Sequence, residues 1–381
     1  MARIVVGVYM VRYPLGGVLS SSLQWLVGLR QLGHDVYAVE KSGWTSSCFH
    51  PGRGTMGDDC TYGTRAVAEL LARFGLEGRW CYVDAAGEYH GMQRRDIERI
   101  LATCDVFIDR GTHGSWLEEA GGAGARVLID GEPGSTQMKM AKRLASGQEI
   151  GEYDFYATVG RNVGTEACSA PDVCRRWIPI FHPVCTEMYP FAAATNSSAF
   201  TTVMNWQAHQ PFEYDGRIYG QKDLQFRRFE DLPKRVDVDL ELAVAGDVPT
   251  AALRKLGWKL CDSHHVTATF DSYRDYIVAS RAEFSIAKHV FVATNSGWFS
   301  DRTAAYLSSG RPAVVEDTGF SKHLPCGAGL FAVQNAEQAA AAIAEIESNY
   351  EYHSRAAREI AVEYLDAHRI VCGLLSQIGL A

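Results

Sequence analysis

The chain alternates between short apolar runs and longer stretches in which apolar residues return every three or four positions. Residues 3–10, RIVVGVYM, form an unbroken apolar run suited to a strand covered on both faces. A loop follows, holding Pro14, Gly16 and Gly17. Residues 22–33 place Leu23, Leu26, Val27 and Arg30 at helical spacing, and Gly33 supplies a C-terminal cap. HDVYAVE (34–40) reads as a second strand. Strand, loop, helix and strand in this order predict a parallel pair joined by a crossover.

The unit recurs. Helical spacing is found over 64–76, 94–104 and 135–147, with a short helix over 114–124. Strand-like runs occupy 79–85, 105–111, 126–134 and 153–160. The chain is then irregular and rich in Pro and Cys to about Pro190. The small, polar stretch 191–199 is the best linker candidate. A second series follows, with strands over 200–206, 239–248, 258–262 and 282–287 and helices over 221–235, 249–257 and 272–280. Residues 296–325 then read as a loop, a helix over 300–309, a turn at Gly-Arg-Pro, an apolar strand and another loop. Two alanine-rich helices, 336–348 and 350–378, complete the pattern. The expected fold is α/β, with two doubly wound Rossmann-like domains facing a cleft. The expected domains are 1–190, 200–350 and a C-terminal helix, 351–381, packing back on the first.

Composition narrows the function classes. No apolar run approaches the roughly 18 residues of a membrane span, and the N-terminus lacks a signal-peptide pattern, so a cytoplasmic protein is expected. Ten cysteines contain no C-x-x-C pair; no metal site is expected, and Cys168 and Cys174 leave one disulfide open. A net charge of −8 predicts a field that repels nucleic acid. The sequence has no G-x-G-x-x-G after its first strand, no P-loop, no G-x-S-x-G elbow and no H-E-x-x-H. Those absences count against nicotinamide and flavin enzymes, P-loop nucleotidases, α/β-hydrolases and zinc hydrolases.

Ligands of open parallel sheets bind beyond the carboxyl ends of the strands. That rule selects loops 11–17, 110–114 and 131–136 in the first series. In the second it selects 206–220, 246–249, 287–300 and 316–325. Their chemistry suits a phosphate. Gly16 and Gly17 lead into a helix, as do Ser296, Gly297 and Ser300, so backbone N–H groups and a positive helix end can face an anion. Lys222, Lys288 and Arg302 add cations. Trp298 is placed to stack on a sugar or base. Asp317, Thr318 and Gly319 are placed for sugar hydroxyls, with Glu316 beside them. In the first series His113 is a candidate general base, and Asp130 and Glu132 are candidates to orient it or to bind an acceptor hydroxyl. His264 and His265 have no third ligand in the pattern and are set aside.

These residues also resemble a family, the GT-B glycosyltransferases that use nucleotide sugars. The resemblance rests on Gly16-Gly17 followed by LQWLVGLRQLGHDV. It rests more sharply on AEFSIAK and on FSDRTAAYLSSGRPAVVEDTGFSKHLPCGAGLFAV. Many members carry two glutamates across the loop and helix before the G-x-P turn. Here that helix reads Asp301-Arg302-Thr303-Ala304-Ala305, and Asp301 and Arg302 are the substitutes.

The resemblance implies transfer of a sugar from a nucleoside diphosphate sugar, held by the second domain, to a small-molecule acceptor on the first. It implies no metal and no cofactor beyond the nucleotide-sugar substrate. The partners expected are that sugar donor and acceptor, with no nucleic acid; a homo-oligomer is left open. A hydrophobic acceptor from lipid or natural-product biosynthesis is the expectation raised by CRRWIPIFHP. A nucleotide-sugar epimerase of the same fold, or a non-catalytic partner protein, remains the alternative.

Overall fold

The computed structural model describes residues 1–192, 197 and 199–380. The linker expected at 191–199 falls largely outside the described residues. Two extended sheets are present. The first has eight strands in the order Trp177–Pro179, Phe155–Thr158, Ala125–Asp130, Val106–Asp109, Arg3–Gly7, Asp35–Lys41, Trp80–Val83 and Tyr89–Gly91. Every neighbouring pair is parallel except the last, where Tyr89–Gly91 runs back antiparallel to Trp80–Val83. The second has six parallel strands in the order Lys259–Asp262, Asp239–Ala245, Ala199–Asn205, Ala282–Ser285, Ala313–Glu316 and Leu330–Val333. These are the two Rossmann-like sheets that the alternating pattern predicts.

The unbroken apolar runs are explained by burial on both faces. Val106–Asp109, Trp80–Val83, Ala282–Ser285 and Ala313–Glu316 are buried at every position. Strand order reverses between Arg3–Gly7 and Val106–Asp109 in the first sheet. In the second it reverses between Ala199–Asn205 and Ala282–Ser285. A crevice outside the carboxyl ends opens at each of these points.

Some elements differ from the pattern. The helix expected at 114–124 is a series of turns. A Cβ at Gly122 or Gly124 would lie 2.3 or 2.7 Å from the carbonyl oxygens of Ala102 and Asp105, so this glycine-rich segment is pressed flat on its neighbours. The helix expected at 221–235 is short, Lys222–Phe226, and gives way to turns and a 3₁₀ turn containing Pro233. The first helix begins early, at Gly16, and runs to Gln31, with Gly33 left-handed after it.

The expected 350–378 helix is divided. It runs as Tyr350–Ile360, a π-helical turn Ala361–Leu365, and Ala367–Gln377. At the break the Val184 N–H donates to Leu365 O and the Ala367 N–H donates to Val184 O, at 2.8 and 2.9 Å. The last helix lies along Gly16–Gln31, where a Cβ at Gly28 would sit 3.0 Å from that of Ala367. All ten cysteines are free thiols, Cys168 buried and Cys174 exposed.

Candidate functional site

The two reversal points face one another, and charged side chains gather between them. From the first sheet comes Arg110, immediately after Val106–Asp109. Its guanidinium donates to Ser22 Oγ (3.0 Å) and Ser21 Oγ (2.8 Å) of the first helix. Burial pulls the Arg110 pKa down to about 10, although Asp301 opposes the shift. His182 follows the edge strand Trp177–Pro179 and belongs to the same cluster. Burial lowers its pKa and Arg110 works in the same direction, while Asp301 and Glu132 oppose them. Burial disfavours charge on Asp301, but His182, the Ser21 hydroxyl and Arg302 outweigh it and hold the carboxyl below its usual range. The neighbours of Asp301 thus favour its charged form.

The second sheet contributes the cations. Lys288, just past Ala282–Ser285, places Nζ 2.6 and 2.7 Å from the two oxygens of Glu132. Glu132 comes from the loop after Ala125–Asp130, so this ion pair spans the cleft. Lys222 begins the short helix after the hairpin of Phe212–Tyr214 and Arg217–Tyr219. It is only 8% exposed, and among the described residues no carboxylate lies within ion-pair distance of it. Burial first, and then Arg302 and Lys288, push its pKa well below the usual lysine value; Glu283 and Asp301 oppose them. Its position is set by the neighbouring helix His289–Ala293: the His289 N–H donates to Gln221 O at 3.3 Å, and the Gly220 N–H donates to His289 Nδ1 at 3.2 Å.

Other residues singled out in the sequence have local work. Arg302 is committed to partners within the second sheet. Its guanidinium donates to Glu283 (2.7 Å), to Val203 O (2.8 Å) and to Ser285 Oγ, tying together the two strands at the reversal point. Ser300 caps the helix Asp301–Ser308 by accepting from the Arg302 N–H, so its hydroxyl serves the helix end.

The backbone N–H groups of Ser296 and Gly297 are spent within the protein, on Phe291 O and Thr318 O. They do not present the open anion cradle expected of that loop. Gly297 is left-handed (φ +74°), and a Cβ there would lie 2.9 Å from the Asn162 nitrogen of the other half. Thr318 donates its hydroxyl to Trp298 O at 2.5 Å. Asp317 is a turn builder, accepting from the Gly319 N–H (2.8 Å) and the Ser321 hydroxyl (2.7 Å). A Cβ at Gly319 would meet Asn295 and Asn162.

Trp298 packs its ring 4.6 Å from Phe291 and bridges to Gly160. With Ser300, Ala287, Phe320 and Glu316 it lines a small cavity at the strand ends. Glu316 is buried there, and burial raises its pKa to about 7.

Gly16 is a packing glycine. A Cβ there would sit 2.3 Å from Thr269 O and 2.4 Å from the Tyr273 Cβ, on the opposing helix Phe270–Ala279. Gly17 lies over the same tyrosine ring. Asp130 is buried and holds its own loop, accepting from Gln137, Thr158 and the Glu132 N–H. His113 is exposed, on a left-handed residue of the loop that Asp109 organises. Of the three candidate catalytic residues, Glu132 is the one that meets a second-sheet cation.

Arg110, His182 and Ser21 were missed. Arg110 opens the loop 110–114 that the strand-end rule selects, so position alone points to it. His182 follows only a three-residue strand that ends in Pro179, too short for a pattern to show.

No family model matches the sequence, and no curated protein sequence matches it. Solved structures do resemble it. An α-glucosyltransferase in complex with UDP and a 13-mer DNA containing a central A:G mismatch has a TM-score of 0.60 at 10% identity, with 100% of both chains covered. Anabaena Alr3699/HepE in complex with UDP-glucose has a TM-score of 0.61 at 10% identity, again over 100% of both chains. A glycosyltransferase from Rickettsia africae ESF-5 has a TM-score of 0.53 at 11% identity, covering 99% of this chain and 97% of that one.

The DNA complexes correct one expectation. Net charge does not exclude nucleic acid from the partners of this architecture, because a charge of −8 over the whole chain describes the distant field and not the cleft. No helix among the described residues is long and apolar enough to cross a membrane. What the chain shares with these proteins is the fold: two Rossmann-like domains facing a cleft, the GT-B architecture.

Proposed function

We propose that this protein is a glycosyltransferase that takes a hexose from a nucleoside diphosphate sugar, with no metal in the transfer step. Lys222 carries the reading. A buried lysine with no carboxylate in ion-pair distance among the described residues, at a strand-order reversal and beside Lys288, is a site built for an anion that arrives from outside. A diphosphate supplies that anion. UDP in the complexes of similarly folded proteins supports the nucleotide class.

In the transfer, the bond from the sugar's anomeric carbon to the diphosphate oxygen breaks, and a bond to the acceptor oxygen forms. The departing diphosphate gains negative charge, which Lys222 and Lys288 stabilise in place of a metal. The acceptor's hydroxyl proton goes to a base on the first-sheet side. His182, whose pKa is lowered by burial, suits that role, as does Glu132 once Lys288 turns to the diphosphate. The acceptor is a hydroxyl compound docked against the first sheet.

The test is calorimetry with UDP, GDP and TDP, followed by a donor panel with small alcohols and hydroxymethylated DNA as acceptors. Binding of one nucleoside diphosphate and transfer of its sugar supports the proposal. Absence of nucleoside diphosphate binding overturns it. Isomerised donor without transfer replaces it with an epimerase.

A further inference from the structure

At the far edge of the first sheet three metal-ligating side chains of different kinds converge. Cys60 is the residue before the helix Thr61–Arg73; its side chain does not cap that helix and is buried. Asp84 follows the strand Trp80–Val83, and His90 lies in the antiparallel strand Tyr89–Gly91. Cys60 Sγ is 3.5 Å from His90 Nε2, and His90 Nε2 is 2.8 Å from Asp84 Oδ2. All three donor atoms lie within 4.8 Å of one another.

The geometry points to a zinc site formed by Cys60, Asp84 and His90, with solvent as the fourth ligand. In a tetrahedral zinc site, sulfur and nitrogen donors stand about 3.5 Å apart, the separation Cys60 and His90 already have. Nitrogen and oxygen donors stand about 3.3 Å apart, so His90 and Asp84 need part by only roughly half an ångström. The donor set selects the metal. Thiolate with imidazole suits zinc and disfavours magnesium or calcium, which seek oxygen ligands. Thiolate, carboxylate and neutral imidazole together balance a divalent charge.

The site is also pre-oriented. Asp84 Oδ1 accepts from the Ala86 and Glu88 N–H groups at 2.9 and 3.0 Å, which aims Oδ2 at His90. The His90 ring is backed by Tyr82, whose hydroxyl is engaged with Cys48 Sγ at 3.2 Å. The side chains of His90 and Asp84 remain 32% and 17% exposed, which gives a cation its path and leaves room for a water. The ion pins the start of a helix to the edge hairpin. The neighbouring strand, Trp80–Val83, is two strands away from Arg3–Gly7 at the reversal point, and the proposed transfer assigns the ion no step.

The test uses the full-length chain, purified without chelator and analysed for metal by mass spectrometry. Chelator-stripped protein is then titrated with Co²⁺ and with Zn²⁺. The expected results are stoichiometric zinc, a thiolate-to-cobalt charge-transfer band, and a rise in Tm with zinc. Cys60→Ser and His90→Ala lose all three, whereas Cys174→Ser, at an exposed thiol elsewhere, keeps them. Should Cys60→Ser fail to fold, Asp84→Asn gives the same reading through weakened affinity. Wild-type protein that takes up no zinc on reconstitution, or zinc retained by both ligand variants, overturns the site and leaves a hydrogen-bonded triad. None of these readouts depends on glycosyl transfer.

Discussion

Lys222 concentrates the electrostatic strain of the cleft. Its depressed pKa means that the empty site disfavours the ammonium, through burial and through Arg302 and Lys288. A bound diphosphate reverses that preference, so binding takes up a proton wherever the free lysine is partly neutral. The sign follows: nucleotide affinity falls as pH rises from the free-state pKa toward the bound-state pKa. Calorimetry of UDP in buffers of different ionisation enthalpy should show proton uptake on binding. Lys222→Ala should abolish that uptake and weaken UDP by about 10- to 100-fold, the worth of a charge-assisted hydrogen bond. A variant that binds UDP as tightly as the wild type, with the same proton uptake, would remove Lys222 from the donor site.

At the scale of elements, a buried pair holds the loop after the first strand. Glu40, at the end of Asp35–Lys41, accepts from the Met10, Val11 and Arg12 N–H groups and from the Arg12 guanidinium at 3.0 Å. Both side chains are almost wholly buried. Glu40→Ala leaves Arg12 buried and uncompensated, and should cost about 3–5 kcal/mol in denaturant unfolding. Glu40→Ala together with Arg12→Leu should recover much of that loss.

This pair also shows what the sequence makes legible. The strand, the loop and the next strand were readable from apolar runs and from Pro14, Gly16 and Gly17, because burial on both faces writes itself as local pattern. The Arg12–Glu40 contact joins a residue of the loop after the first strand to the end of the second, and no local period records it. The same holds at the site. Lys222 and Lys288 are singled out in the sequence because their loops sit at strand ends. Arg302 was misplaced toward the ligand because only the fold shows Glu283, Ser285 and Val203 around it. His182 was hidden by the shortness of its strand.

At the scale of the whole molecule, the two halves meet through contacts with different consequences. Gly16 lies against the opposing helix Phe270–Ala279, and Arg73 forms a two-point pair with Asp271 at 2.6 and 2.8 Å. Both charges of that pair are well exposed, so it adds little. The Lys288–Glu132 pair is different, because the proposed function asks Lys288 to hold a diphosphate. Glu132 then occupies the anion's place while the site is empty, and donor binding must break the pair before Lys288 engages. Glu132→Gln removes this competitor, so UDP should bind several-fold more tightly, by calorimetry at low salt. The same substitution removes a carboxylate from the acceptor side. If Glu132 accepts the proton in transfer, kcat falls while the apparent donor affinity rises, a split that simple loss of folding cannot produce. If His182 accepts it, Glu132→Gln keeps its kcat, and His182→Ala carries the loss instead. Tighter UDP binding is expected in either case. Unchanged binding would mean that the ion pair across the cleft does not compete with the donor.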